Sequence, residues 1–269
     1  MLVSSKGPVD STFHPDLPST LRRAALVIVP WVGLVAFWYA LHYSGLVNPA
    51  LVPTPHAVAE RFWELAGNRL PRDVYISTQR VFIGVVLGTL LAVPVGFILG
   101  WYREARLFID PVLNFFRALP PIALIPLVIV YFGIGEGAKV AILFYAAFFA
   151  GVIVMYEGIA QISPIYVRVA RTLGAHDVEI FLKVIVPLTV PHILTALRVA
   201  LGVAWATLVA SELIAAQQGL GSLIQNAASF FQLDIIYVGI ICIGLIALAM
   251  DLLLRAASRR LVAWQERIA

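Results

Sequence analysis

Residues 171–187 read RTLGAHDVEIFLKVIVP, a polar interval between two long apolar runs. Ser163-Pro164, just upstream, has the form of a helix start, with a capping hydroxyl followed by proline at the first helical position. Gly174 supplies a stop about three turns later. Asp177 is placed to cap a second helix, and Glu179 and Lys183 form an i, i+4 pair in the favoured order. Pro187 is expected to end or bend that helix as the next apolar run begins. On a 3.6-residue period Phe181, Val184 and Ile185 share one side, and His176, Glu179 and Lys183 another. The stretch therefore spells helix, glycine turn, helix, lying along a surface. A solvated loop helix is the plain reading. The small Gly174-Ala175 corner favours a second one, in which another protein comes close, because short helices docking in grooves are a recurring recognition mode.

The rest of the chain explains why such a segment stands out. Of 269 residues 61% are hydrophobic and only 13% charged, and the mean hydropathy is +0.93. A soluble domain is about 45–50% apolar and about 25% charged, so lipid must be the solvent for much of this protein. The net charge of +4 would suggest nucleic acid in a soluble chain. Here it is the Lys and Arg excess expected of cytoplasmic loops, and no nucleic-acid partner is expected. The single cysteine, Cys242, lies in an apolar run and reads as a packed thiol.

Six stretches approach the ~20 apolar residues that a membrane-crossing helix needs: 24–43, 81–102, 112–132, 139–156, 188–216 and 235–254. None alternates with period two, which excludes a β-barrel, so the expected class is all-α and polytopic. No cleaved signal peptide is expected, because the first run is too long for one. Arg22, Arg23, Arg103, Arg106, Arg168, Arg171, Lys183, Arg255, Arg259 and Arg260 fall on one side of a six-span chain. That side is expected to be cytoplasmic, with both termini on it. Residues 44–80 disagree, carrying Arg61, Arg69, Arg72 and Arg80 on the opposite side, partly balanced by Glu60, Glu64 and Asp73.

Within that loop, Thr54, Pro55 and Gly67 predict a short helix with Val58, Phe62 and Leu65 on one face, suited to the membrane interface or to simple packing. Gly84 with Gly88, Gly96 with Gly100, and Ala196, Ala200 and Ala204 predict close helix–helix approach, within the chain or to a second copy.

Catalytic chemistry is not expected. GIGEGAK (133–139) lacks the Gly-Lys-Ser/Thr order of a phosphate loop and follows no strand; it reads as a glycine-rich turn. The five histidines are scattered, no metal site is expected, and no serine has a nucleophile-elbow setting. Charges at membrane depth are more informative, each costing about 2.5–3.5 kcal/mol at a helix centre. Arg117 opens RALPPIALIP, where Pro120, Pro121 and Pro126 break the helical ladder, and irregular backbone at that depth is tolerated only when buried or lining a cavity. Two readings stand for Arg117. It belongs to an intramembrane ion pair with Arg198 or Glu212 as a member, or it lines a pathway with Pro120, Pro121, Ser211 and Glu212, and both can hold.

Residues 168–221, RVARTLGAHDVEIFLKVIVPLTVPHILTALRVALGVAWATLVASELIAAQQGLG, resemble the signature region of the binding-protein-dependent ABC importer permeases. That pattern is an EAA-type triplet, a glycine four residues on, and an I-x-L-P-like end. Here the triplet reads Arg168-Val169-Ala170, Gly174 fits, and VIVP ends at Pro187. ALPPIALIPLVIVYFGIGEGAKV (118–140), ASELIAAQQGLG (210–221) and VPTP (52–55) are similar to the taurine, aliphatic-sulfonate and nitrate branch, and the likeness spans roughly residues 45–260. Arginine at the triplet's Glu position is a departure familiar in that branch.

The resemblance implies a type I importer permease in the bacterial inner membrane. Residues 1–20 would be a disordered cytoplasmic tail, 21–45 the first transmembrane helix, 46–75 an outer loop with an interfacial helix, 76–260 a core of five spans, and 261–269 a second tail. It implies partners: two ABC ATPase subunits, a second permease copy, and a periplasmic or lipid-anchored solute-binding protein. The chain itself would bind no cofactor, ATP and Mg residing on the ATPase. The region 163–187 would be the coupling region, with Arg168, Ala170, Arg171, Gly174, Ala175, His176, Asp177 and Phe181 meeting the ATPase. The solute would be a small anion such as taurine or an alkanesulfonate, with nitrate, bicarbonate or a vitamin precursor as alternatives. A secondary transporter is the rival class, and it predicts inverted repeats that the sequence does not display.

Overall fold

The structure, a computed structural model, describes residues 19–262; the tail expected at 1–20 lies almost wholly outside them, as does most of the one expected at 261–269. The chain divides into two compact units, residues 1–57 and 58–269. In the first, α1 (Ser19–Tyr43) is followed by a turn that folds back on it. Trp38 Nε1 donates to the Pro53 carbonyl at 2.9 Å, and His42 Nδ1 lies 2.6 Å from the Val52 carbonyl. Thr54 caps the next helix as expected, accepting from the Ala57 N–H at 3.4 Å. That helix, α2 (Pro55–Ala66), stops at Gly67 and presents Val58 as its buried residue.

The second unit continues with α3 (Leu70–Trp101), α4 (Arg103–Ala118), α5 (Pro121–Phe132), α6 (Glu136–Ala160), α7 (Pro164–Thr172), α8 (Asp177–Ile180), a π-helical turn at Phe181–Ile185, α9 (Val186–Ala215), α10 (Leu220–Ser229) and α11 (Leu233–Leu261). Helix is the only regular structure among the described residues. Four runs are long and apolar enough to cross a membrane: α3, α6, Asp177–Ile214 and α11. The expected third span is a broken pair instead, α4 and α5 meeting at 92°. The break falls at Leu119-Pro120, where both residues are extended and two prolines in succession offer no amide donor. The expected first span lies on α1, whose described apolar part, Ile28–Tyr43, is shorter than a span needs.

The small residues of α3 meet α6, within the chain. A Cβ placed on Gly84, Gly88, Gly96 or Gly100 would sit 2.5, 2.7, 2.3 or 2.6 Å from side-chain atoms of Leu143, Ala147, Met155 and Ile159, respectively. Both series rise together, so α3 and α6 run parallel, and α4–α5 must recross the layer between them. Ala196, Ala200 and Ala204 are fully buried on α9, which runs antiparallel and seals the core with Val81, Val85, Ile142, Leu143 and Leu208. Fourfold spacing of small side chains lets three backbones approach closely, the usual device where lipid supplies no hydrophobic drive.

Helix directions sort the connections to two ends. At one end lie the α3–α4 corner, α7–α8 and the close of α11, which carry the Lys and Arg residues of the expected cytoplasmic side. At the other lie the start of α3, residues 133–136 and α10. Residues 217–234, read as a loop, hold α10, with Leu220, Gly221, Ser222, Leu223 and Ala227 buried. The discordant arginines also have a structural reason. Arg72 and Arg80 belong to α3 rather than to a loop. Arg61 pairs with Glu64 and Asp234, Arg69 with Asp73, and Arg80 with Glu136 and Glu212.

Candidate functional site

At the basic end, Ser163 caps α7, accepting from the Ile165 N–H at 3.4 Å. Gly174 closes it at φ +84°, a left-handed conformation that glycine adopts without strain. The Ala175 N–H reaches back to the Ala170 carbonyl at 3.1 Å and the Gly174 N–H to that of Arg171 at 3.0 Å, the paired bonds of a Schellman ending. Arg171 reaches across the corner to Asp177 at 3.1 Å. Asp177 is therefore not the cap of α8. His176 holds that position, and Glu179 accepts from its backbone N–H at 3.3 Å while pairing with Lys183 at 3.0 Å.

Pro187 does not end the second helix. The run from Asp177 to Ile214 is continuous, because the π turn before the proline widens the ladder, with the Val186 N–H bonding the Phe181 carbonyl. Phe181 packs edge-on against Phe97 and Trp101 of α3, with ring centroids 5.4 and 5.9 Å away. Ile180 and Ile185 are buried beneath the hairpin. Ile165, Tyr166, Val169 and Leu173 form an exposed apolar strip along one face of α7, Leu173 at 82%, and Val178 and Leu182 are also exposed. Arg168, Arg171, His176 and Asp177 are exposed around this strip, whereas Ala170 and Ala175 are half-buried in the corner.

The five pathway candidates separate into two places. Arg117, Pro120 and Pro121 lie at the α4–α5 break. Arg117 and Pro121 line a cavity of about 440 Å³ with Tyr145, Phe149, Glu157 and Val203. Phe116 stacks on Phe149 and its carbonyl accepts from the Tyr145 hydroxyl, which sets Arg117 level with the middle of α6. Arg117 is exposed, and no ion pair involving it occurs among the described residues. The pairing considered with Arg198 or Glu212 is not made: Arg198 bonds Asp251 at 2.9 Å, and Glu212 is taken by Arg80.

Ser211 and Glu212 are buried at the other end, Glu212 to 1% exposure. Glu212 has no free face. Its carboxylate accepts from Arg80 Nη1 at 2.6 Å, from the Ser77 hydroxyl at 2.8 Å and from the Gly221 N–H at 2.8 Å. The first turn of α10 is thus capped by other helices: Asp73 takes the Gly219 N–H at 2.8 Å, Ser77 that of Leu220 at 2.9 Å, and Glu212 that of Gly221. Glycine is required at 219 and 221, where a Cβ would lie 2.5 and 2.6 Å from Glu212 atoms. Arg80 also donates to the Gln218 carbonyl at 2.8 Å and grips Glu136 through Nε at 2.6 Å and Nη2 at 2.5 Å. Removing one member of such a buried pair costs about 3–5 kcal/mol.

Sequence reasoning missed Asp73, Ser77 and Arg80 because residues 44–80 read as a loop, and Glu136 because GIGEGAK (133–139) reads as a glycine-rich turn. Their signal was present: spacings of four and three place Asp73, Ser77 and Arg80 on one helical face. Asp251, the partner of Arg198, was missed inside the last span.

Comparison with known proteins follows the same lines. The profile of the family described as binding-protein-dependent transport system inner membrane component matches residues 84–263. A probable ABC transporter permease of Brucella abortus (strain 2308) is 48% identical over 231 residues, covering 86% of this chain and 91% of that protein. The taurine transport system permease protein of Escherichia coli (strain K12) is 34% identical over 253 residues, covering 92% of each. Among solved structures, a chain of the MetNI methionine ABC transporter in inward-facing conformations has a TM-score of 0.58 at 23% identity, covering 70% of this chain and 95% of that one. That likeness concerns the fold.

Proposed function

Because the chain belongs to the binding-protein-dependent family of inner membrane transport components, and so is the non-catalytic permease subunit of an ABC importer, we propose that it moves a small organic anion by docking an ATPase at the 163–187 hairpin. The carrying observation is the hairpin itself. A doubly capped corner bears an exposed apolar strip at the end where Lys and Arg collect, and exposed apolar surface rimmed by charged residues marks a site for a partner. The positive-inside rule then makes this end cytoplasmic, and two ATPase subunits holding ATP and Mg would serve two copies of the chain. Closing on ATP, they would push the hairpin and tip the spans between inward- and outward-open states. A solute-binding protein would deliver to the opposite end.

An anion such as taurine or another alkanesulfonate is the proposed solute. Two things support it: the 34% identity to a taurine permease and the unpaired Arg117 at mid-depth. A guanidinium so placed is costly against lipid, so its wall faces water or a second copy and offers a passing anion a counter-charge there.

The docking role is tested at Gly174. Arginine there meets the φ of +84° and projects a long charged side chain into the open space around the corner, where nothing lies within 4 Å. Gly174→Arg is expected to insert normally yet lose both co-purification of the ATPase and solute uptake. Normal ATPase association by that variant refutes the docking role.

A further inference from the structure

We infer that Arg80 is a positioning residue of the transport cycle, the joint through which a push on the hairpin reaches the far end of the permease. The inference rests on the docking role proposed above. The hairpin's second arm and Glu212 lie on one continuous helix of 38 residues, about 57 Å at an α-helical rise. At its far end this lever is not free. Glu212 is held by Arg80 and Ser77 of α3, and the same arginine holds Glu136 at the start of α6 and the Gln218 carbonyl before α10. Asp73, Ser77 and Glu212 complete the block by capping α10. Four elements therefore share one side chain, and the end of α9 cannot shift without carrying the others.

The two arms of the joint differ. The Arg80–Glu212 arm is wholly buried, whereas the Glu136 side chain is 63% exposed, beside a cavity of about 550 Å³ that Arg80, Glu136, Lys139, Gln217 and Gln218 line. The buried arm fixes α3 to α9; the exposed arm sets how firmly α6 follows.

The test uses the complex purified with its ATPase subunits in nanodiscs, with Cys242→Ala and a single reporter, Gln217→Cys, labelled by a membrane-impermeant maleimide. Trapping with Mg-ATP and vanadate is expected to change the labelling rate by at least about fivefold, the low end of ordinary coupling between sites. Glu136→Gln and Ser77→Ala are expected to remove that change while vanadate-sensitive hydrolysis and ATPase association continue, and Glu136→Asp to restore part of it. The inference is overturned if the variants respond as the parent does, if the parent itself gives no response, or if hydrolysis and response fall together, the pattern of a plain packing defect. Gly174→Arg, run alongside, separates the two ideas. An assembled Gly174→Arg complex removes the docking role, whereas loss of response at Glu136 with normal assembly bears on the joint alone.

Discussion

Glycines in this protein differ in whether their surroundings require them, and substitution distinguishes the two kinds. At Gly88 an added Cβ would lie 2.7 Å from Ala147 Cβ and 2.9 Å from the Phe148 backbone nitrogen, so the helices must part. Gly88→Leu is expected to cost at least the 1–3 kcal/mol typical of overpacking, seen as a lower unfolding temperature in detergent. Gly202 has nothing within 4 Å of its would-be Cβ and lies inside α9. Gly202→Ala should be neutral or stabilising by up to about 1 kcal/mol from helix propensity alone. Asp251 makes a similar case for charge. It holds both Arg198 and Arg255, at 2.9 and 2.6 Å, and Asp251→Asn leaves Arg198 half-buried in a span without its counter-ion. A lower yield of folded protein, recovered by the double change Arg198→Met/Asp251→Leu, is the expected result.

Among the elements, the hairpin was legible from sequence and its joint to the bundle was not. Ser163, Gly174 and the Glu179–Lys183 pair stand as the local rules place them, because capping and i, i+4 contacts are decided within a few residues. The seating of Phe181 beside the π turn before Pro187 depends on where α3 lies, which no local pattern encodes. Phe181 is the point of contact, and its two edge-to-face pairs with Phe97 and Trp101 are worth about 0.5–1.5 kcal/mol each beyond area burial. Phe181→Ala is expected to keep ATPase co-purification while lowering uptake, since the docking strip remains but its tie to α3 is lost. Phe181→Leu should retain more of both.

The whole bundle assigns its charges by direction. Cationic connections gather at the hairpin end, and the arginines that break the rule are mostly neutralised by carboxylates at the other. Arg117, exposed at mid-depth, makes no ion pair among the described residues, and the pathway role proposed for it is tested by substitution. Arg117→Gln is expected to insert fully and to lower uptake of the proposed organic anion about tenfold, equivalent to some 1.4 kcal/mol, with Arg117→Lys intermediate; equal uptake by all three proteins would show that the solute does not pass this wall.

The sequence by itself determined the solvent, the helical class, the sidedness of the basic connections and the capped hairpin. Each of these is a property of composition or of neighbours a few residues apart. Only the tertiary structure decided that the glycines of α3 face α6, that α4 and α5 form one broken crossing, and that the buried Glu212 carboxylate is held by Arg80, Ser77 and the Gly221 N–H. The reason is range. Ser77 and Glu212 stand 135 residues apart in the chain and 2.8 Å apart in space, and a buried carboxylate takes its meaning from whatever the fold brings to it.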